Sequence, residues 1–93
     1  SFTLIFQAFT SDEILDIEEI FVTFSGYASH RPVRMRNRRS EYFYTTTSGA
    51  ARLTSNIREM SKLLRLPLKI SFRENKISVR KLNKRTKKYK WTK

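Results

Sequence analysis

The hydrophobic period of this chain switches between two residues and three to four, and the order of the switches leaves few ways to fold it. Phe2, Leu4, Phe6 and Ala8 alternate with Thr3, Ile5, Gln7 and Phe9, so both faces are largely apolar and the segment reads as a central strand. Thr10 and Glu13 then stand at capping-box spacing, with Phe9 and Ile14 at the two staple positions. A helix follows: Ile14, Ile17, Ile20, Phe21 and Phe24 recur on one side, Asp12, Asp16 and Glu19 lie on the other, and Ser25 and Gly26 end it. After a turn at 27–30, two segments of strand composition, 31–36 and 41–47, are joined through 37–40 as a hairpin. In the second, Tyr42, Tyr44 and Thr46 face one way and Phe43, Thr45 and Thr47 the other.

Ser48 and Gly49 turn the chain into a second helix with a stripe of Leu53, Ile57, Met60 and Leu64, ringed by Arg52, Arg58, Lys62 and Arg65 and stopped by Pro67. Residues 68–73 alternate again, Leu68, Ile70 and Phe72 against Lys69, Ser71 and Arg73, which places the basic side chains on an open face. Glu74 and Asn75 either turn the chain into a further strand over 77–82 or let the same strand run on. With right-handed crossovers this order predicts an α+β, ferredoxin-like βαββαβ domain over residues 1–79. Its antiparallel sheet carries both helices on one face and leaves the other for a ligand, and residues 80–93 form a basic tail.

Charge narrows the kind of ligand. Residues 1–30 hold no Lys or Arg and carry −5, while residues 31–93 carry +17, together the net +12 of the chain. Such polarisation predicts an acidic and a basic face, the basic one drawing a polyanion at long range. Nucleic acid fits better than an anionic membrane, because the basic residues are spread over strands, a helix and a tail, without the apolar floor of a membrane-surface helix. From Arg31 to Arg39, five of nine residues are arginine, and three aromatics, Tyr42, Phe43 and Tyr44, follow closely. Guanidinium forks match phosphate oxygens and ring faces stack on bases, so Arg31, Arg34, Arg36, Arg38 and Arg39 are the first candidates for RNA contact. The tail supplies the second set: Arg80, Lys81, Lys84, Arg85, Lys87, Lys88 and Lys90, with Tyr89 and Trp91 among them. Too apolar-poor to order itself, it is expected to settle on the polyanion.

Other chemistries find little support. There is no cysteine, and the single histidine, His30, is expected as a solvated turn residue. The acids from Asp12 to Glu19 read as a solvated helix face, with docking to a basic partner protein as the alternative. No apolar run reaches the length of a membrane span, and no feature calls for a metal, a cofactor or a small-molecule substrate.

The run Arg31, Pro32, Val33, Arg34, Met35, Arg36, Asn37, Arg38, Arg39, followed by Glu41, Tyr42, Phe43 and Tyr44, resembles the second strand, basic turn and aromatic third strand of protein six of the bacterial-type small ribosomal subunit, in its organellar versions above all. Residues 57–66, with Leu63, Leu64, Arg65 and Leu66 leading into 68–73, resemble that family's second helix and last strand. The stretch before residue 31 lacks the family's usual Trp-Gly, and Glu41 stands where a glycine usually precedes the aromatic pair. The resemblance implies a non-enzymatic structural constituent of the small subunit that binds ribosomal RNA beside neighbouring ribosomal proteins, protein eighteen among them. It also implies that Tyr42 and Tyr44 pack at the protein partner. With the chain opening on Ser1 instead of Met, it leans towards a mitochondrial over a bacterial ribosome. Protein ten of the same subunit, also short and ferredoxin-like, shares a Leu-Pro step like Leu66 and Pro67. A free-standing single-stranded RNA binder is the other reading. An acylphosphatase-like enzyme needs a glycine-rich phosphate cradle and an arginine near the first strand, but Gly26 and Gly49 are the only glycines and residues 1–30 contain no arginine.

Overall fold

Seven elements follow one another in the computed structural model, which describes residues 1–82: β1 (Phe2–Gln7), α1 (Ser11–Phe21), β2 (Tyr27–Arg36), β3 (Arg39–Thr46), α2 (Ala50–Leu64), β4 (Leu68–Arg73) and β5 (Lys76–Lys81). The strands form one sheet in the order β2-β3-β1-β5-β4. β1 is antiparallel to β3 and parallel to β5, so the sheet is mixed. Side chains of α1 (Ile14, Ile17, Phe21) and α2 (Leu53, Ile57, Met60) share one core with Leu4, Phe6, Tyr42, Tyr44, Ile77 and Val79 of the sheet. Both helices therefore cover one face and leave the other open.

The first six elements follow the predicted order, and the seventh corrects the topology. Instead of lying beside β1, β4 is displaced to the edge, because β5 hairpins back and takes the inner slot parallel to β1. Glu74 makes the turn tight enough by adopting a left-handed φ of 57°. Burial agrees with the placement: Ile77 and Val79 of β5 are fully buried, whereas Phe72 of β4 remains 48% exposed. Arg80 and Lys81, expected to begin the tail, are the last residues of β5. The remaining tail candidates, Lys84, Arg85, Lys87, Lys88 and Lys90, lie outside the described residues, as do Tyr89 and Trp91.

Local chemistry explains the element ends. In α1 the Glu13 N–H donates to Thr10 Oγ1 at 3.1 Å and the Thr10 N–H donates to Glu13 Oε1 at 2.8 Å, the reciprocal capping box. The helix stops at Phe21, a turn earlier than its apolar stripe predicts, where the Thr23 hydroxyl donates to the Ile20 carbonyl at 2.6 Å. α2 starts at Gly49 without any side-chain cap and ends with Arg65 at φ 56°, the Leu66 N–H donating to the Ser61 carbonyl. Gly26, at φ 86°, sits against the start of that helix segment: a Cβ there would meet Ser48 Oγ at 2.4 Å and Ser48 N at 3.0 Å.

β2 begins at Tyr27, four residues before the expected start, and His30 is a strand residue and not a solvated turn. Two register shifts, between Tyr27 and Ser29 and between Pro32 and Arg34, let Tyr27, His30, Pro32 and Met35 share the helix side. Pro32 is tolerated because β2 is an edge strand. His30 packs edge-on to Phe21 with ring centroids 4.8 Å apart, and its ring nitrogens lie 2.8 Å from Tyr27 Oη and 2.8 Å from Glu18 Oε2. Glu18 and Glu13 are thus engaged with the fold, a correction to the solvated helix face expected of them, whereas Asp12, Asp16 and Glu19 are exposed.

Candidate nucleic-acid interface

On the open face, side chains at paired positions line up in rows that cross all five strands. The first row reads Arg31, Phe43, Thr3, Lys76, Arg73 from β2 to β4. Two residues further along the strands, three in β2 across its register shift, the second reads Arg34, Glu41, Ile5, Ser78, Ser71; after two more the third reads Arg36, Arg39, Gln7, Arg80, Lys69. Period two puts these side chains on one surface. Two cationic rows, roughly 13 Å apart by strand rise and roughly 19 Å long across the strands, therefore flank a mostly neutral strip. Among the described strand residues of this face the one carboxylate is Glu41, and Arg39 Nε donates to its Oε2 at 3.1 Å. Ile5, in the centre of the strip, is only 8% exposed.

Phe43 is the aromatic of the face. It is 40% exposed, and the Arg31 guanidinium lies over its ring 4.6 Å from the centroid. Beside them the open face dips into a cavity of about 580 Å³, bounded among others by Thr3, Ser29, Arg31, Phe43, Thr45 and Asn75.

Several residues singled out in the sequence meet here, and others do not. Arg31, Arg34, Arg36, Arg39 and Arg80 all lie on the open face. Arg38 does not: it occupies the hairpin turn at φ 66° and donates from Nη1 to the Ala8 carbonyl at 3.2 Å, tying the hairpin to the β1–α1 junction. Lys81 points to the helix side, where its ammonium lies 2.8 and 3.0 Å from the two carboxylate oxygens of Glu13. Burial disfavours ionisation of Glu13, but the Lys81 ammonium and the Thr10 N–H outweigh it and hold the carboxyl below its ordinary value.

Tyr42 and Tyr44 are corrected most sharply. They are 1% and 0% exposed, packed on Phe21, and so present no surface to a protein partner. The Tyr44 hydroxyl donates to the Phe21 carbonyl at 2.6 Å, and burial with the nearby Glu18 carboxylate pushes the Tyr42 hydroxyl up to about 12. Conversely, Lys69, Arg73, Lys76 and Phe43 share the open face although none of them is among the RNA-contact candidates read from the sequence. The alternation of Lys69, Ser71 and Arg73 against an apolar set was the available signal for two of them.

Comparison of the chain with protein-family models, curated proteins and solved structures found no match in any of the three.

Proposed function

We propose that this protein binds RNA through the open face of its sheet, as a non-catalytic constituent of a ribonucleoprotein. One observation carries the reading. Arg31, Arg34, Arg36, Arg39, Lys69, Arg73, Lys76 and Arg80 converge on a face whose one carboxylate among the described strand residues, Glu41, already has a partner. A solvated sheet face of a stable domain mixes signs to limit self-repulsion. Here like charges are gathered on a single surface, which costs stability unless a polyanion neutralises them. Five of the other seven acids lie on α1, across the core from this face, with Glu59 on α2 and Glu74 in the turn between β4 and β5. The basic residues after Leu82 add to the same attraction by composition.

The resemblance to protein six of the small ribosomal subunit supplies the specific form of the proposal: a ribosomal RNA contact beside other small-subunit proteins, mitochondrial in the favoured case. The inner position of β5 departs from the βαββαβ pattern on which that form was built, and Tyr42 and Tyr44 no longer argue for protein eighteen as partner. Sedimentation of the native protein from its source at rising salt tests the form. Migration with a small ribosomal subunit until high salt strips it supports a ribosomal constituent; migration as a free small protein at physiological salt contradicts it and leaves the free-standing single-stranded RNA binder.

A further inference from the structure

The cavity beside Phe43 adds a feature that a charged face alone does not require. A surface that only neutralises phosphates needs cations that reach outward, and the two rows provide them. This cavity instead sets an exposed aromatic ring among small polar side chains. On one side the Arg31 guanidinium carbon lies over the Phe43 ring, 4.6 Å from its centroid. Thr3, Ser29 and Asn75 add side-chain donors and acceptors that have no hydrogen-bond partner among the described residues, and Thr45 Oγ1 shares a 3.3 Å hydrogen bond with Ser1 Oγ. Its volume, about 580 Å³, lies within the range that holds small organic ligands. Arg31, Lys76 and Arg73 continue the same row towards both edges of the sheet, where they would meet the phosphates on either side of whatever occupies it.

Resting on the RNA-binding reading, we infer that this cavity receives the base of one unpaired ribonucleotide, stacked on the pair that Phe43 and Arg31 form and hydrogen-bonded at its edge by Asn75, Thr3 and Ser29. A base inside a duplex is stacked and paired, with its faces covered by neighbours, so it cannot lie on Phe43 while the backbone follows the row. An unpaired base offers both a ring face and a free edge. The Asn75 amide presents a donor and an acceptor together, and hydroxyls take either role. Substrate choice therefore passes from charge, which any polyanion satisfies, to strandedness. The cationic rows give attraction and the cavity gives preference for single strands, loops or bulges.

Two labelled probes decide it: an RNA strand of about ten nucleotides, and the same strand annealed to its complement, each titrated with the full chain by fluorescence anisotropy. The native protein is expected to bind the single strand more tightly than the duplex. F43A should weaken the single strand roughly 5- to 100-fold without changing the salt dependence, since a stacked base is lost and no phosphate contact is. Duplex affinity should be unchanged, and F43W should restore the single-strand preference. Phe43 lies outside the core, so F43A is expected to keep the native melting temperature. S29E, which puts a carboxylate on the exposed wall of the cavity, gives an independent loss. Single-strand affinity within twofold of native in both variants, or a native preference for duplex, overturns the cavity assignment while RNA binding stands. Failure of the native protein to bind either probe overturns the RNA-binding reading itself.

Discussion

Replacing the third row of cations separates long-range attraction from every other source of affinity. Arg36, Lys69 and Arg80 are exposed, and none of their side chains makes a hydrogen bond or ion pair among the described residues. The triple variant R36A/K69A/R80A should therefore keep the native fold, since surface changes without partners cost about 0.5 kcal/mol or less each. Its effect on RNA binding follows from counterion release. Each phosphate contact on a single strand contributes about 0.7 to the log–log salt slope, so three lost contacts flatten that slope by about 2. At 0.1 M salt each contact corresponds to about fivefold in affinity, and together to about 100-fold; at 0.5 M the combined loss shrinks to about fourfold. Anisotropy titrations of a labelled RNA strand between those salt concentrations read both quantities. A slope unchanged from native, or an equal loss at every salt concentration, would refute the placement of phosphates on this row.

Other perturbations probe the scaffold. G26A forces a side chain into a left-handed φ of 86° against Ser48, and about 2–4 kcal/mol of stability should be lost by denaturant unfolding, from backbone strain and overpacking together. G49D, at the uncapped start of α2 where a Cβ meets nothing within 4 Å, should gain about 0.3–1 kcal/mol by the same assay. Because the folded Glu13 carboxyl titrates below its ordinary value of 4.5, its contribution to stability is present above that pH and is lost as pH falls through the lower folded value. E13Q, which keeps an acceptor for the Thr10 N–H, should thus be less stable than native at pH 6 and converge with it towards pH 2.

Much of this fold can be read from period alone, and it misleads where bulges break the period or where the period does not say which face is buried. The capping box at Thr10 and Glu13 and the alternations in β1, β3 and β4 are local patterns, and they fall where the sequence puts them. The start of β2 escapes the period because its helix-side residues, Tyr27, His30, Pro32 and Met35, are spaced three, two and three apart across two register shifts. The inner slot of β5 was not decidable from pattern, since Leu68, Ile70, Phe72 and Ile77, Val79 both describe one-faced strands. Only the tertiary competition for the place beside β1 chooses between them.

In β3 the alternation was right but its sense was not fixed by the aromatics themselves. Glu41 carried the answer, because a carboxylate in the same set as Phe43 marks that set as the open one and sends Tyr42 and Tyr44 inward. The interface inherits the same division. Its arginines in β2 were legible as a run, while Lys69, Arg73 and Lys76 join them only through a register that crosses five strands.

The claim that the open sheet face is the RNA surface is tested most directly by ultraviolet crosslinking of the full chain to bound RNA, followed by mass-spectrometric mapping of the modified residues. The account predicts crosslinks on the strand residues of the open face, Phe43 foremost, together with the row that runs from Arg31 to Arg73. Crosslinks confined to α1 and α2, or to the chain beyond Leu82 with none on the sheet, would contradict it.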